Sequence, residues 1–217
     1  MTATLPLFET PLPAACERLA PGACVLRGLA SDIAGNLLDG IDRIAARAPF
    51  RRLVTPGGKT MSVAMTNCGA LGWCSDRRGY RYTRDDPETG AAWPAMPAPF
   101  AAFARDAARE AGFDDYAPDV CLINRYEPGT RLTLHQDQDE CDHHSPIVSV
   151  SLGLPATFLF GGFARSDPQQ RVPLAHGDVV VWGGPSRMRY HGVLPIRSDT
   201  HPLTGACRYN LTFRVAR

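Results

Sequence analysis

The stretch Arg208-Tyr-Asn-Leu-Thr-Phe-Arg214, followed by Val215, alternates polar and apolar side chains along its whole length. Strict alternation is typical of a β-strand, because successive side chains on a strand point to opposite faces. We therefore predict a half-buried strand. Two guanidinium groups on an inward face are costly to bury unless anions pair with them. The polar face, which predicts an anionic ligand, consists of Arg208, Asn210, Thr212 and Arg214.

Upstream of that strand, His135-Gln136-Asp137 places a histidine and a carboxylate at positions i and i+2. On an extended chain these two side chains point the same way, so both can reach one metal ion. The distant His191 supplies a third ligand. Two histidines and one carboxylate are the facial set with which non-haem Fe(II) oxygenases hold iron while leaving coordination positions open. The sequence thus predicts that His135, Asp137 and His191 bind iron and carry the catalysis.

The His-x-Asp motif by itself is weak support for an iron site, since this composition gives about 0.4 such motifs by chance. The motif, a later histidine and a strand face with two arginines are more specific in combination. A dicarboxylate cosubstrate beside the metal would supply the anions that Arg208 and Arg214 need. For either arginine alone, the alternative is a structural ion pair.

Several segments, in order along the chain, carry a resemblance to a known family. Upstream it includes Thr55-Pro-Gly-Gly-Lys-Thr-Met-Ser-Val-Ala-Met-Thr-Asn-Cys-Gly69 and Leu71-Gly-Trp73. The downstream segments are Asn124-Arg-Tyr126-Glu-Pro-Gly129, Leu134-His135-Gln-Asp137, Pro146-Ile-Val-Ser-Val-Ser-Leu-Gly153, His176-Gly-Asp-Val-Val-Val-Trp182 and Arg208-Tyr-Asn-Leu-Thr-Phe-Arg214. With these segments the chain closely resembles the AlkB family of bacterial alkylated-DNA repair dioxygenases, over nearly all of its length except roughly the first fifteen residues.

The resemblance implies oxidative demethylation of 1-methyladenine and 3-methylcytosine in DNA. Fe(II) would be held by His135, Asp137 and His191, and 2-oxoglutarate and O2 would be converted while the methyl group is oxidised. The products would be succinate, carbon dioxide, formaldehyde and the repaired base. In such enzymes the metal supplies the difficult chemistry, and the protein orients the substrate and excludes side reactions.

The resemblance also implies which residues bind the cosubstrate. One carboxylate of 2-oxoglutarate would lie on Arg208, with Asn124 and Tyr126 beside it. Arg214 and Asn210 would lie nearer the metal-bound end. A guanidinium pairs with a planar carboxylate through two parallel hydrogen bonds, a geometry that lysine does not offer.

For the substrate, the resemblance implies contacts from Asp139 and Arg165. Asp139 lies two residues beyond Asp137, so an extended chain would place both carboxylates on the same side. A carboxylate there suits 1-methyladenine and 3-methylcytosine, because methylation makes these bases cationic. The alternative for Arg165 is an exposed loop arginine.

Aromatic and basic side chains are interleaved between Gly72 and Arg84. Aromatic rings can stack on bases while cations contact phosphates, and the resemblance implies that Trp73 stacks on the substrate base opposite His135. The alternative is that the aromatic residues are core residues or cross-strand pairs of a hairpin. The residues predicted to contact the substrate here are Trp73, Tyr80, Arg81 and Tyr82.

Composition describes one globular domain of 217 residues, with 44% hydrophobic and 21% charged residues, a balance typical of a folded chain. The net charge of +1 argues against a generic nucleic-acid binder, which is usually distinctly basic. Local clusters could still bind a phosphate backbone. These clusters are Arg43, Arg47, Arg51, Arg52 and Lys59, and then Arg77, Arg78, Arg81 and Arg84.

The seven cysteines, at positions 16, 24, 68, 74, 121, 141 and 207, form no Cys-x-x-Cys pair. They suggest neither a disulfide framework nor a thiolate zinc site, so we expect reduced thiols and a cytoplasmic location. The segment Met1–Cys16 lacks the features of a signal peptide, and no segment is apolar enough for a membrane span. We expect a monomer that does not bind membranes.

We predict a mainly β chain with flanking helices (α+β), whose core is a double-stranded β-helix, or jelly roll, because many short strands follow two helices. The whole chain, 1–217, would form one Fe(II)/2-oxoglutarate dioxygenase domain. Within it, 1–22 would be an arm with little regular structure, 50–93 a nucleotide-recognition lid and 118–217 the catalytic jelly-roll core.

Two helices are predicted: one capped by Ser31-Asp32 and stopped by Pro49, and one from Pro97 to Gly112 with the glycine as its C-terminal stop. The predicted strands are Cys24–Leu29, Cys121–Tyr126, Arg131–His135, Ile147–Leu152, Thr157–Phe160, Asp178–Trp182, Tyr190–Val193 and Arg208–Val215.

Two alternative functions stay open at this point. One is a dioxygenase of the same fold that acts on a protein or a small metabolite, and the other is a non-catalytic, metal-dependent nucleic-acid sensor. The expected partner is methylated DNA, single- or double-stranded with the single strand preferred, and RNA stays open as well. The adjacent His143 and His144 point opposite ways on an extended chain, so we place them in a surface loop. His176 and His201 are predicted to be structural or exposed.

Overall fold

A computed structural model describes residues 16–217, and residues 1–15 of the predicted arm lie outside the described part. The helices are α1 (Ala34–Arg47) and α2 (Ala98–Glu110), and a short 3₁₀ turn spans Gly184–Ser186. The strands are β1 (Cys16–Ala20), β2 (Ala23–Leu26), β3 (Ala64–Gly69), β4 (Gly72–Asp76), β5 (Gly79–Thr83), β6 (Val120–Tyr126), β7 (Leu132–His135), β8 (Ile147–Gly153), β9 (Ala156–Phe160), β10 (Gln170–Leu174), β11 (Val179–Trp182), β12 (His191–Val193) and β13 (Arg208–Arg214).

Two antiparallel sheets form the core. The larger sheet has the order β1-β2-β11-β8-β13-β6-β3, and the smaller has the order β10-β9-β12-β7. Apolar side chains from both sheets, such as Val180 and Phe158, share one buried cluster, so the sheets pack face to face. The opposite face of the larger sheet packs against both helices. The predicted mainly β jelly roll with flanking helices is confirmed.

The closing strand β13 is buried on both faces, not on one face as predicted. Leu211 and Phe213 pack in the cluster under the helices, whereas Arg208 and Arg214 point into the space between the two sheets, where they line a cavity. The prediction of a half-buried strand was wrong because polar residues on this face meet an internal cavity and not the solvent. β13 pairs with β6 on one side and β8 on the other.

Both predicted helices are present, but the predicted start of the first is wrong and the predicted end of the second is confirmed. α1 begins at Ala34 after Ile33, with no side-chain cap, so the predicted cap by Ser31-Asp32 is wrong. α2 ends at Glu110, and Gly112 has a φ of +88°. That backbone conformation suits glycine, so the predicted C-terminal stop is confirmed.

Several strand predictions need correction. Residues 16–20 form β1, which pairs with β2, so this part of the predicted arm has regular structure. β2 ends at Leu26 and does not reach residue 29. The prediction missed β10, which contains Pro173 and lies at the edge of the smaller sheet. Proline is tolerated on an edge strand because no neighbour there needs its missing N–H.

The predicted lid region divides into two structural parts. β3 is the edge strand of the larger sheet, beside β6, whereas β4 and β5 form a separate two-stranded hairpin. The hairpin carries Trp73 at one strand and Tyr80 and Tyr82 at the other. Its function in nucleotide recognition stays a prediction. Within residues 16–217, no helix has the length and apolar character that crossing a membrane requires.

Candidate active site

Two paired strands of the smaller sheet bring the three predicted metal ligands together. His135 ends β7, His191 begins β12, and the two residues are direct partners in the antiparallel ladder. Nε2 of His135 lies 3.6 Å from Oδ1 of Asp137, and Nε2 of His191 lies 3.7 Å from Oδ2 of the same carboxylate. One ligand atom from each residue lies within 4.8 Å of the others, so a single ion can contact all three. We call His135, Asp137 and His191 the metal triplet.

Both histidine rings are oriented by a backbone carbonyl two residues earlier. Nδ1 of His135 lies 2.9 Å from the carbonyl oxygen of Thr133, and Nδ1 of His191 lies 3.0 Å from that of Arg189. Because a carbonyl oxygen only accepts, Nδ1 carries the proton in each ring and Nε2 keeps a free lone pair. Hydrogen bonds of this kind fix the tautomer of a histidine that binds a metal.

The protonation states also suit a metal. Burial lowers the pKa of His191 to about 3, with a further contribution from His135, so this imidazole is neutral at physiological pH. Burial acts in the opposite sense on Asp137, but the charge of Arg214, with smaller contributions from the histidines, holds the pKa of this carboxyl below its usual range. Neutral imidazoles and an ionised carboxylate are the forms that ligate a divalent cation.

The metal-free protein is expected to lose stability as the pH falls from about 6.5 towards 4. The unfolded chain binds a proton at His191 near the ordinary histidine pKa of 6.5, whereas the folded chain resists protonation down to about 3. This stability is therefore complete above 6.5 and is lost at up to about 1.4 kcal/mol per pH unit below it. Urea denaturation of metal-free protein at several pH values measures the slope.

In the same experiment His191→Asn is expected to show a shallower slope over this pH window. Asp137 adds its own loss of stability only at lower pH, since its unfolded pKa is near 3.8. The control is His143→Gln at an exposed loop position, which should keep the wild-type slope. Equal slopes in wild type and His191→Asn would contradict the prediction.

The predicted cosubstrate residues surround one end of a cavity of about 660 Å³ that also contains the metal triplet. Arg208 is fully buried, and burial lowers the pKa of its guanidinium. Its Nη2 donates to Oγ of Ser151 at 3.0 Å, but its Nε and Nη1 and the hydroxyl of Tyr126 have no hydrogen-bond partner among the described residues. A buried guanidinium with unused donors is suited to bind an anion. A carboxylate of 2-oxoglutarate fits this place.

The neighbouring amides are held in place by the sheet. Nδ2 of Asn124 donates to Oδ1 of Asn210 at 3.3 Å, and Nδ2 of Asn210 donates to Oγ of Ser149 at 2.8 Å. Arg214 differs from Arg208, because its Nε and Nη2 donate to Oδ2 of Asp137 at 3.0 and 2.8 Å. The expectation that both arginines need an external anion is therefore wrong for Arg214, which already has a protein carboxylate.

Three of the predicted substrate residues meet at the cavity. The rings of Trp73 and Tyr80 stack with centroids 5.6 Å apart and an angle of 14° between their planes. Nε1 of Trp73 donates to Oδ2 of Asp139 at 2.8 Å. Trp73 and Tyr80 thus pair across the two strands of the hairpin, as in the alternative interpretation. Both rings also line the cavity beside His135.

Arg165 also lines this cavity. Its guanidinium lies over the ring of Tyr190, 5.1 Å from the ring centre, and donates to the carbonyl oxygen of Leu134. Arg165 is exposed in a loop, as the alternative interpretation has it. Its two contacts nevertheless hold the side chain at the lining of the cavity, so its contact with the substrate stays a prediction.

Two predicted substrate residues are not brought to the cavity. Arg81 donates through both Nη atoms to the carboxylate of Asp76, at 3.0 and 2.7 Å. Tyr82 donates its hydroxyl proton to Oε1 of Glu140 at 2.6 Å. Neither residue is among those that line the cavity, so the structure does not support direct base contacts from Arg81 and Tyr82.

The remaining histidines lie apart from the metal triplet. His143 and His144 are exposed in the loop before β8, as predicted. The rings of His176 and His201 stack with centroids 4.4 Å apart, and Nδ1 of His176 accepts a hydrogen bond from the backbone N–H of Gly153. The structural function predicted for His176 is consistent with these contacts.

Sequence reasoning missed a buried pair next to the metal ligands. Glu140 and Arg187 are 5% and 2% exposed, and Nη2 of Arg187 lies 3.1 Å from Oε2 of Glu140. Arg187 also donates through Nη1 to the backbone oxygen of Asp137 at 2.7 Å. Glu140 lies in an acidic stretch and Arg187 in a turn, so neither had a spacing signal that set it apart from surface charge.

Comparison with known proteins agrees with this geometry. The family model described as the 2OG-Fe(II) oxygenase superfamily matches residues 22–214. The alpha-ketoglutarate-dependent dioxygenase AlkB of Salmonella typhimurium is 61% identical over 200 residues, which cover 92% of this chain and 93% of that protein. The protein of the same name from Escherichia coli is 58% identical with the same coverage.

A solved structure supports the fold. The structure of OsALKBH1 matches with a TM-score of 0.82 and 29% identity, and the match covers 93% of this chain and 100% of that chain. The sequence and structure matches both extend over more than nine-tenths of the chain. The chain therefore belongs to the AlkB family of the 2OG-Fe(II) oxygenase superfamily, as an Fe(II)- and 2-oxoglutarate-dependent dioxygenase.

Proposed function

We propose that this dioxygenase repairs alkylated DNA by oxidative demethylation of 1-methyladenine and 3-methylcytosine. The observation that carries the proposal is one cavity that joins the metal triplet, the unused donors of Arg208 and the Trp73–Tyr80 stack. Such a cavity can hold a cosubstrate at one end and a planar base at the other. The names of the bacterial relatives support the same chemistry class.

Each group of residues has its own task in this proposal. His135, Asp137 and His191 would hold Fe(II), which supplies the oxidising chemistry when 2-oxoglutarate and O2 are present. Arg208 would bind the far carboxylate of 2-oxoglutarate, with Asn124 and Tyr126 beside it. Asn210 and Arg214 would lie nearer the metal-bound end. Oxidation of the N-methyl group gives a hydroxymethyl group, which leaves as formaldehyde.

The target base must leave the helix stack to reach this cavity, because a base edge inside a duplex is not accessible. A flipped base loses its stacking neighbours, and the Trp73 ring, with His135 on the opposite side, would replace them. Asp139 adds a negative charge beside the base, which suits the cationic lesions by charge complementarity. Arg165 would also contact the substrate.

The test is incubation with single-stranded oligonucleotides that contain 1-methyladenine or 3-methylcytosine, with Fe(II), ascorbate and 2-oxoglutarate. Formaldehyde and succinate are expected in equal amounts. An unmethylated oligonucleotide serves as the control and should yield no formaldehyde. Binding of methylated DNA without consumption of 2-oxoglutarate would favour a non-catalytic sensor, and turnover only with a methylated protein or metabolite would favour the same-fold alternative.

Trp73→Ala is expected to lower kcat/KM for the methylated oligonucleotide by roughly fivefold to 150-fold, since stacking contributes about 1–3 kcal/mol per base. His135, His191 and Arg208 lie on other strands, and the bond from Tyr82 to Glu140 is retained. Basal decarboxylation of 2-oxoglutarate without DNA should therefore stay at the wild-type rate. Formaldehyde and succinate assays measure both quantities.

The matched variant Trp73→Phe keeps an aromatic face but loses the Nε1 bond to Asp139. It should retain most of the repair activity. If basal decarboxylation and thermal stability fall together with repair in Trp73→Ala, Trp73 is a core residue and the stacking assignment is wrong.

We also propose that the protein acts as a cytoplasmic monomer on DNA, with single strands preferred. All seven cysteines are free thiols, which suits a reducing compartment. Parallel assays with single-stranded DNA, duplex DNA and RNA of one sequence rank the substrates, and light scattering gives the mass in solution.

A further inference from the structure

A buried network of four charged side chains includes Asp137, one member of the metal triplet. It contains two carboxylates and two guanidinium groups, and each side chain is at most 8% exposed. The formal charges cancel, as buried charges require. We call this set the buried quartet; its members are Asp137, Glu140, Arg187 and Arg214.

The buried quartet holds Asp137 from two directions. Arg214 donates to the carboxylate of Asp137, and its Nε lies 3.3 Å from Oε1 of Glu140. Arg187 donates one Nη proton to the backbone oxygen of Asp137 and the other to Oε2 of Glu140. Glu140 therefore contacts both arginines that fix the position of Asp137.

The carboxylate of Glu140 also binds the β4–β5 hairpin. The hydroxyl of Tyr82 donates to Oε1 of Glu140 at 2.6 Å, and one residue earlier Asp139 accepts from Trp73. The hairpin wall that carries the Trp73–Tyr80 stack is thus joined to the segment directly after Asp137. A hydrogen bond to an ionised carboxylate contributes more than one between neutral groups.

We propose that Tyr82, Glu140 and Arg187 are positioning residues that couple the seating of the β4–β5 hairpin to the geometry of the metal ligand Asp137. None of the three needs to touch the base or the metal. When the hairpin packs against the segment after Asp137, Tyr82 donates a hydrogen bond to Glu140. Glu140 in turn pairs with Arg187 and Arg214. These two arginines fix the position of Asp137. This proposal rests on the proposed function for the base-binding role of the hairpin, but the coupling to the metal ligand does not.

The coupling predicts two separable effects of Tyr82→Phe, which removes one hydroxyl and no charge. First, the dissociation constant of Co(II), used as a probe for the triplet, should rise measurably but by less than about tenfold. This is below the ~10–100-fold typical of a lost outer-shell partner, because Tyr82 acts on Asp137 only through Glu140. Secondly, succinate should exceed formaldehyde in the presence of methylated oligonucleotide, because the loosened hairpin no longer holds the base over the metal during every turnover. Co(II) absorption and the two product assays measure these effects.

We call the series of contacts from Tyr82 through Glu140 to Arg187 and Arg214 the relay. Glu140→Gln tests the contribution of its negative charge. It leaves two guanidinium groups against one carboxylate beside the cation site, and outer-shell partners of metal ligands typically change metal affinity by about 10–100-fold. The Co(II) dissociation constant is expected to rise into that range, which exceeds the effect of Tyr82→Phe.

The matched control is Tyr116→Phe. Tyr116 is 2% exposed, packs in the cluster under the helices, and its hydroxyl has no hydrogen-bond partner among the described residues. This variant removes a buried tyrosine hydroxyl without breaking the relay, so Co(II) affinity and the product ratio should match wild type. Thermal melting of both variants reports any general loss of stability.

The outcomes separate the two proposals. If Tyr82→Phe matches Tyr116→Phe in both Co(II) affinity and product ratio, the relay is overturned. If Tyr82→Phe changes only the melting temperature, its role is structural and the relay is likewise overturned. If wild type releases no formaldehyde from any methylated oligonucleotide but Tyr82→Phe and Glu140→Gln weaken Co(II) binding as stated, the proposed function fails and the coupling to the metal ligand stands.

Discussion

His135→Ala is expected to lower the rate of formaldehyde release by at least about 100-fold, the upper end of the effect of losing a group that only supports a metal ligand. A facial set of three ligands has no spare member, so losing one leaves too few anchors for a weakly held divalent iron. His135 is the cleanest position for this test, because its side chain is 31% exposed and its removal leaves no buried charge behind.

Asp137 and His191 should give the same loss of turnover, but they need a check of folding. Asp137→Ala leaves Arg214 buried without its closest carboxylate, and an uncompensated buried charge costs about 3–5 kcal/mol. Metal content measured by mass spectrometry, together with formaldehyde and succinate assays, distinguishes lost iron from lost fold. His143→Ala, at an exposed histidine in the same loop region, is the control. Full activity with bound iron in any triplet variant would exclude that residue as a ligand.

Arg208→Lys is expected to raise the KM for 2-oxoglutarate by about 10–150-fold and to leave the KM for methylated DNA nearly unchanged. Lysine keeps the charge but cannot reproduce the two parallel hydrogen bonds of a guanidinium. One lost hydrogen bond to a charged group corresponds to about 1.5–3 kcal/mol, which converts to that range of affinity. Steady-state kinetics with each substrate varied in turn measure both constants.

Arg125→Lys is a matched control for this variant. Arg125 lies on β6, next to the cosubstrate residue Asn124, but its guanidinium lies over the ring of Phe50 at 4.9 Å and does not line the cavity. Both KM values should match wild type in the control. If Arg208→Lys raises the two constants by the same factor, Arg208 does not act specifically on the cosubstrate.

The sequence alone was sufficient for the parts of the site that have strand periodicity. The alternation in β13 predicted that Arg208 and Arg214 share a face, and the His-x-Asp spacing with a later histidine predicted the triplet. The first inference depends on the alternation of side chains along a strand. The second also depends on the ligand chemistry of a facial iron site, which the distant His191 completes. The jelly roll followed from the number of short strands and the turns between them.

Other features could not be read from local patterns, because they depend on which distant groups meet. The spacing of Arg81 and Tyr82 is that of a stacking surface, but Asp76 and Glu140 bind their polar atoms. The buried Arg187 resembles a surface arginine until the fold places it beside Glu140. β10 was missed because Pro173 normally argues against a strand, and only its edge position explains it.

The two ends of the cavity differ in how easily their backbone opens, because one is built on a central strand and the other on a two-stranded hairpin. β13 is hydrogen-bonded along its length to β6 and β8, whereas the β4–β5 hairpin is a two-stranded ribbon of its own. Backbone amides in a doubly paired central strand exchange with solvent only when the whole fold opens, while a two-stranded ribbon opens locally at a small fraction of that free energy. We therefore expect the backbone amides of β13, the strand that carries Arg208, to be among the slowest in the chain to exchange. The wall that meets the base can therefore open locally while the backbone of β13 stays paired, and this opening breaks the bond from Tyr82 to Glu140 but no contact of Arg208.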